Sequence, residues 1–347
     1  MTDQQIRWFD PNDLLSYNAL FNFVIGVRGG GKSFGTLNFC INRFLRHGEE
    51  FIYLRRYEKE LDESKPTLFD ALKSEGKFPN YSLYCKGNRM YADNGDNAKV
   101  MGYTMALSTS MKKKSIPFAA VKWIIFEEFM VDGVTSRYLG GGEKEVEIFN
   151  NLYETVDRLR DETRVFFVAN AFSRVNIYFT YYGIHLPEEP KRYTKQGAAL
   201  VCVWTDEGYL AAKRQTRFYQ LVKNKEFALH AYSNKFILDK KDFLANKSPD
   251  AEFHYGMVYM GKEYGVWVDW NAGRYYVTAN PGPMNSGKII ALTLEDNLPN
   301  NVNIRRVKNM PFMRAFRRAV DENRVYYDSL QTWGALKDAI FLMQTTR

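Results

Sequence analysis

The chain has 347 residues, 45% of them apolar and 25% charged, with a net charge of +8; this is length for two domains and the balance of a globular chain, not a disordered one. Three distant cysteines (Cys40, Cys85, Cys202) without a CxxC, and four scattered histidines, exclude a disulfide framework, a zinc ribbon and a His-rich metal site. No apolar run approaches the roughly 18–20 residues of a membrane span, so no membrane partner is expected.

The first residues, Met-Thr-Asp-Gln-Gln, carry neither a basic nor an apolar leader region, so a soluble protein of a reducing compartment is expected. Phe21–Ile25 is a short apolar run followed by glycines, and Phe34 to Arg46 follows with helical spacing. Phe51–Leu54 is a second buried-type strand. Tyr81–Tyr84 and Met90–Ala92 flank Lys86-Gly87-Asn88 as a hairpin. Val121–Phe126 and Val165–Val168 are further core strands. Between them Val146, Phe149, Leu152, Tyr153, Val156 and Leu159 mark an amphipathic helix. This alternation predicts an α/β fold with a mostly parallel sheet covered on both faces.

Gly26 to Ser33 reads Gly-Val-Arg-Gly-Gly-Gly-Lys-Ser, the GxxxxGKS phosphate loop, between a strand and a helix. Gly26, Gly29, Gly30 and Gly31 let backbone N–H groups close on phosphate oxygens, and the helix adds its positive end. Lys32 is expected to meet the β/γ-phosphates of ATP, and Ser33 to ligate Mg²⁺. Arg28 inside the loop is unusual for the general motif and is counted with the nucleotide-binding residues. The strand ending Phe126-Glu127-Glu128 is the acidic partner of such a loop: Glu127 would hold the metal and Glu128 would orient or deprotonate a water. A second acid recruits water where a kinase excludes it, so the expected reaction is hydrolysis.

Asn170 ends the strand from Val165, where it could sense a γ-phosphate or cap a turn. Arg158, Arg160 and Arg164 follow the preceding helix, either solvated near its end or supplying an arginine finger to a neighbour. Lys112, Lys113 and Lys114 form a charge run.

After Leu186-Pro-Glu-Glu-Pro190 the pattern loosens into a polar connector whose clear strand is Ala198–Trp204. Strands at Tyr255–Tyr259, Tyr264–Val268 and Arg274–Val277 open a second domain, followed by helices near 310–322 and 330–344. Residues 240–347 carry 15 basic and 11 acidic side chains, so +4 of the net +8, a bias that favours a polyanionic partner. Arg305, Arg306 and Lys308 form one cluster, and Arg314, Arg317 and Arg318 share a helix face. They are read as contacts to DNA, RNA or another protein, made by shape and charge. Asp269 sits on a strand without evident pairing to Glu295, Asp296, Asp321, Glu322 or Asp328, so an active two-metal nuclease is not expected.

These motifs together resemble the genome-packaging ATPases of small tailed phages of the phi29 type. The matching stretches are Asn12–Tyr17, Asn22–Ser33, Ile41–Phe44, Phe51–Tyr57, Ile125–Phe129, Val168–Ala171 and Gly265–Asp269. The resemblance implies a P-loop ATPase domain of the additional-strand, catalytic-glutamate (ASCE) class at 1–190. A small lid or linker subdomain at 191–245 and an α+β ribonuclease H-like, vestigial nuclease domain at 246–347 would follow. It implies an ATP-hydrolysing motor that drives double-stranded DNA into a preformed capsid. The motor would work as a homo-oligomeric ring, the family's pentamer, on the portal protein and its packaging RNA, in the cytoplasm of the infected bacterium. It further implies that Arg158 and Lys114 act in trans on the neighbour's nucleotide. Glu127 replaces the family's Asp, and an insert surrounds Leu139–Gly142. The alternatives are an ATP-binding, nucleic-acid-binding assembly scaffold and a terminase-like motor with an active nuclease.

Overall fold

Apolar runs that must be covered on both faces form the centre of the first sheet. In the computed structural model, which describes residues 6–113, 118–131, 138–141, 143–171, 173–187, 189–225, 243–284 and 288–345, the chain divides into two units. The first comprises Met1–Gly140, Lys144–Arg174 and Leu186–Ile237; the second comprises Gly141–Glu143, Val175–His185 and Leu238–Arg347.

The first unit holds a nine-stranded sheet. Its strands are β1 (Phe21–Gly26), β2 (Glu50–Arg55), β3 (Ser82–Lys86), β4 (Arg89–Asp93), β5 (Ala98–Ala106), β6 (Val121–Glu127), β7 (Arg164–Asn170), β8 (Tyr193–Gln196) and β9 (Ala199–Trp204). The spatial order is β3-β4-β5-β2-β6-β7-β1-β9-β8. From β5 to β9 every neighbour is parallel, and antiparallel pairs occur only at the two edges. Phe23, Phe51, Phe126, Phe166 and Phe167 are completely buried, each ring worth about 1.5–3 kcal/mol of transfer from water. Phe23 and Phe167 stack at 4.4 Å on adjacent strands. The helix Lys32–His47 buries Leu37, Phe39, Cys40 and Ile41, and Glu143–Asp157 buries Val146, Phe149, Leu152 and Val156.

Three local expectations change. β5 was not anticipated, because Gly102 breaks its apolar run; a Cβ there would lie 2.0 Å from the Phe51 carbonyl oxygen of β2, so strand contact demands the glycine. The helix expected to reach Leu159 ends at Asp157, because Arg158, Leu159 and Asp161 all take positive φ and Asp157 accepts from the amides of Asp161, Glu162 and Thr163. Residues 193–204, expected in the connector, form β8 and β9 and pair through β9 with the loop-bearing strand β1. The first sheet thus runs past the boundary drawn at residue 190.

The second unit has a six-stranded sheet in the order β14-β13-β10-β11-β12-β15, with β10 (Glu252–Tyr259), β11 (Lys262–Asp269), β12 (Arg274–Thr278), β13 (Ile289–Ala291), β14 (Val302–Asn303) and β15 (Val325–Tyr327). β10, β11 and β12 form an antiparallel meander, while β13 and β15 run parallel to β10 and β12. Met313, Phe316 and Ala319 of the helix Pro311–Asp321 are buried in this unit's core. Among the described residues no helix is long and apolar enough to cross a membrane.

Candidate active site

β1 ends at Gly26, and the chain turns through Gly29 and Gly31, both at positive φ (84° and 82°), into the helix starting at Lys32. These are conformations that glycine adopts without steric cost. The turn is braced from β9: the Trp204 indole N–H donates to the Gly30 carbonyl at 3.0 Å, and a Cβ at Gly26 would fall 2.1 Å from the Trp204 carbonyl oxygen. The Tyr209 hydroxyl donates to the Arg28 carbonyl at 3.2 Å, and Lys213 approaches the same oxygen at 3.4 Å. Sequence reasoning missed Trp204, Tyr209 and Lys213, since nothing in their spacing ties them to the glycines. Trp8, half exposed and 5.6 Å from the Tyr209 ring, was missed for the same reason.

Lys32 is buried, and its ammonium donates to the carbonyls of Gly26 (3.2 Å) and Val27 (2.7 Å). Burial lowers its pKa to about 8, against the opposing attraction of Glu127. Glu127 closes β6, buried, with its pKa pushed up to about 7 by desolvation although the Ser33 hydroxyl hydrogen-bonds it. Its Oε1 is buried with no hydrogen-bond partner among the described residues. An orphaned carboxylate oxygen beside a serine hydroxyl has the donor chemistry for a hard divalent cation, so Ser33 and Glu127 fit Mg²⁺.

Glu128 turns the chain at φ 56°, its amide donating to the Val168 carbonyl at 2.7 Å. Its side chain is largely exposed, and Oε2 accepts from Arg55 at 2.8 Å. Arg56 lies in the opposite environment. It is 1% exposed, pairs with the fully buried Glu145 through Nε at 2.8 and 3.0 Å, and donates to the carbonyls of Glu128 (2.9 Å) and Phe129 (2.6 Å). Asn170 ends β7 in register with Gly26. A cavity of about 660 Å³ brings together Arg28, Gly29, Gly30, Gly31, Lys32, Ser33, Glu127, Glu128 and Asn170, with Trp8 at its wall.

Other expected residues lie elsewhere. Arg158 precedes β7 at the strand end opposite Asn170, so seven residues of strand, about 20 Å, separate it from its own chain's cavity. Arg158 is exposed beside a Leu159 that is 95% exposed. Arg160 instead turns inward and donates to the carbonyls of Phe118, Ala119, Val121, Val156 and Asp157; its role is structural. Lys114 lies outside the described residues, as do the side chains of Lys112 and Lys113. In the second unit Arg305, Arg306, Arg314 and Arg318 are exposed, while Lys308 and Arg317 are partly buried. Asp269 accepts from the Ala272 amide, Asp296 from Met260 and Gly261, and Asp328 from Ala279. These three carboxylates cap turns, and no group of three or more His, Cys, Asp or Glu that could hold a metal occurs among the described residues.

A pH dependence follows from Lys32. Bound phosphate oxygens would raise its pKa above the free value of about 8. Binding then takes up a proton above pH 8, and affinity falls as pH rises beyond it. Nucleotide titrations without divalent metal, in buffers of different ionisation heat, should show this uptake at pH 9; at pH 7 the proton exchange belongs to Glu127, whose pKa of about 7 lies in the same cavity.

The sequence matches the family described as podovirus DNA encapsidation protein (Gp16) over residues 3–344. A DNA packaging protein of Bacillus phage phi29 is 33% identical over 322 residues, 93% of each chain. Among solved structures, the phi29 viral genome packaging motor assembly matches with 33% identity and a TM-score of 0.72, covering 97% of this chain and 99% of that one. The crystal structure of the N-terminal domain of the phi29 DNA packaging ATPase matches with 36% identity and a TM-score of 0.51, covering 57% of this chain and 96% of that one.

Proposed function

We propose, from the premise that this chain belongs to the podovirus DNA encapsidation protein family, that it hydrolyses ATP to drive double-stranded DNA into a capsid, working as a ring on the portal. One observation carries the reading: the 660 Å³ cavity places the glycine turn, Lys32, Ser33, Glu127 and Glu128 on one wall system. The position of β7 between β1 and β6 supports the additional-strand, catalytic-glutamate class. The antiparallel meander flanked by parallel strands supports a ribonuclease H-like second unit, and the turn-capping of Asp269, Asp296 and Asp328 supports its having lost nuclease chemistry.

Amides of residues 29–33 would receive the β- and γ-phosphates at the helix N-terminus. Lys32 would exchange its two carbonyl partners for phosphate oxygens. Ser33 and Glu127 would hold Mg²⁺, which when bound supplies positive charge to the phosphate oxygens. Glu128 would orient a water and take its proton, while the Arg55 guanidinium on Oε2 positions the carboxylate and lowers its basicity. Asn170, beside Gly26, would read the presence of the γ-phosphate. Arg56 anchors the turn that carries Glu128. Trp8 offers an aromatic face for the base. Arg158, remote from its own cavity and exposed, would complete a neighbour's site, as would Lys114. The ring is expected to be a pentamer, with the arginines of the second unit meeting DNA, packaging RNA or portal protein.

The test is ATP hydrolysis by the purified chain with and without duplex DNA. Stimulation by DNA is expected; nucleotide binding without hydrolysis in the presence of DNA would instead favour an assembly scaffold.

A further inference from the structure

The antiparallel edge of the first sheet carries a second cavity, of about 380 Å³, lined by Lys86, Arg89, Tyr91, Tyr103 and Thr104 with the hairpin turn between them. Strand register explains the grouping. Lys86 of β3 lies opposite Arg89 of β4, and Arg89 lies opposite Tyr103 of β5. One row inward Tyr84 faces Tyr91, their rings stacked at 5.3 Å and 13°. Directly opposed residues share a face, so two cations and three tyrosines stand on one side of the edge. The alternate residues Leu83, Met90 and Ala92 are buried on the other side.

Two features of this face suit a ligand. Lys86 and Arg89 are exposed, Arg89 within electrostatic reach of Glu50. Half-buried Tyr91 and Tyr103 line the cavity, Tyr91 backed by the stacked Tyr84 ring. Glu50 hydrogen-bonds the Tyr103 hydroxyl and so fixes that ring.

We infer that this hairpin face binds an unpaired nucleotide of a nucleic-acid strand, with its base against the tyrosines and its phosphates on Lys86 and Arg89. A flat aromatic surface beside cations suits a base and its backbone without sequence preference. A duplex hides its base faces and would engage the cations alone. An acidic peptide would use the charges and leave the aromatic cavity without purpose. The inference is independent of ATP hydrolysis, which takes place on another part of the sheet.

The experiment is fluorescence anisotropy of the full chain with labelled twelve-nucleotide single strands, RNA and DNA separately, against a duplex of the same length, about the span such a module covers. Tyr91→Ala should weaken single-strand binding about tenfold, the scale of one base stack, and leave duplex binding and DNA-free ATP hydrolysis unchanged. Tyr91→Phe should retain single-strand binding, which separates stacking from misfolding. Lys86→Gln with Arg89→Gln should weaken binding and flatten its salt dependence. Equal losses for single strand and duplex, or no loss for either, would overturn the inference. Displacement by polyglutamate as effective as by unlabelled strand would do the same. Competition by adenosine monophosphate as strong as by the strand would reassign the cavity to a free nucleotide.

Discussion

Glu128→Gln should leave nucleotide binding intact and lower ATP turnover by about two to four orders of magnitude, the contribution of a positioned general base. The amide is isosteric and keeps the turn at φ 56°, the amide bond to Val168 and the anchoring of its own carbonyl by Arg56. What it loses is the capacity to accept a proton. The predicted split is therefore a large fall in kcat with little change in the nucleotide dissociation constant, read by steady-state hydrolysis beside equilibrium binding. Full turnover in the variant would remove Glu128 from its catalytic assignment. Arg55→Ala makes a useful companion, since it frees the same carboxylate from its 2.8 Å partner and should change the DNA dependence of hydrolysis before the maximal rate.

Arg56→Ala should destabilise the first unit by about 3–5 kcal/mol, because removing one member of a buried pair leaves the other as an uncompensated charge. Glu145 is fully buried and also accepts from the Leu139 amide at 2.7 Å. Two backbone carbonyls, of Glu128 and Phe129, lose their donors in the same substitution. Arg56→Lys should recover little, since an ammonium cannot reproduce the directed contacts that a planar fork makes with Glu145, Glu128 and Phe129. The urea midpoint of unfolding measures this; a loss below about 1 kcal/mol, the range of an exposed pair, would show that the cluster does not hold the turn. The Arg56 variants should also lose hydrolysis at temperatures where they remain folded, because the turn they release carries Glu128, the proposed general base.

The contrast between Arg55 and Arg56 shows where sequence reading stopped. Arg55 ends β2 and Arg56 follows it, and alternation on a strand sends them to opposite sides, but only the structure tells which side holds Glu128 and which holds Glu145. The phosphate loop was legible because its chemistry is local: glycines, lysine and serine act within eight consecutive residues. The acidic pair was legible because a buried strand delivers its end to that loop. Trp204 and Tyr209 were not, because their contacts with Gly30 and Arg28 span more than 170 residues. Gly102 misled in the other direction, a breaker by propensity that the sheet needs for close approach to Phe51. Among the arginines after the helix Glu143–Asp157, composition could not separate Arg160, spent on five carbonyls, from Arg158, which is turned outward by a run of positive φ angles. Positive φ on non-glycine residues costs energy and gathers where a side chain must be aimed. Here it presents Arg158 and the 95% exposed Leu159 together.

That outward placement makes cooperation between copies the central claim, and mixing two inactive chains tests it most directly. Lys32→Ala lacks the phosphate-binding lysine but keeps Arg158, and Arg158→Ala keeps an intact cavity. Each alone should hydrolyse ATP poorly in the presence of duplex DNA. Combined in equal amounts, they should regain a measurable fraction of wild-type hydrolysis, because some Arg158→Ala cavities then lie beside a subunit that supplies the arginine. No recovery at any ratio, or an Arg158→Ala chain as active alone as the wild type, would contradict the account.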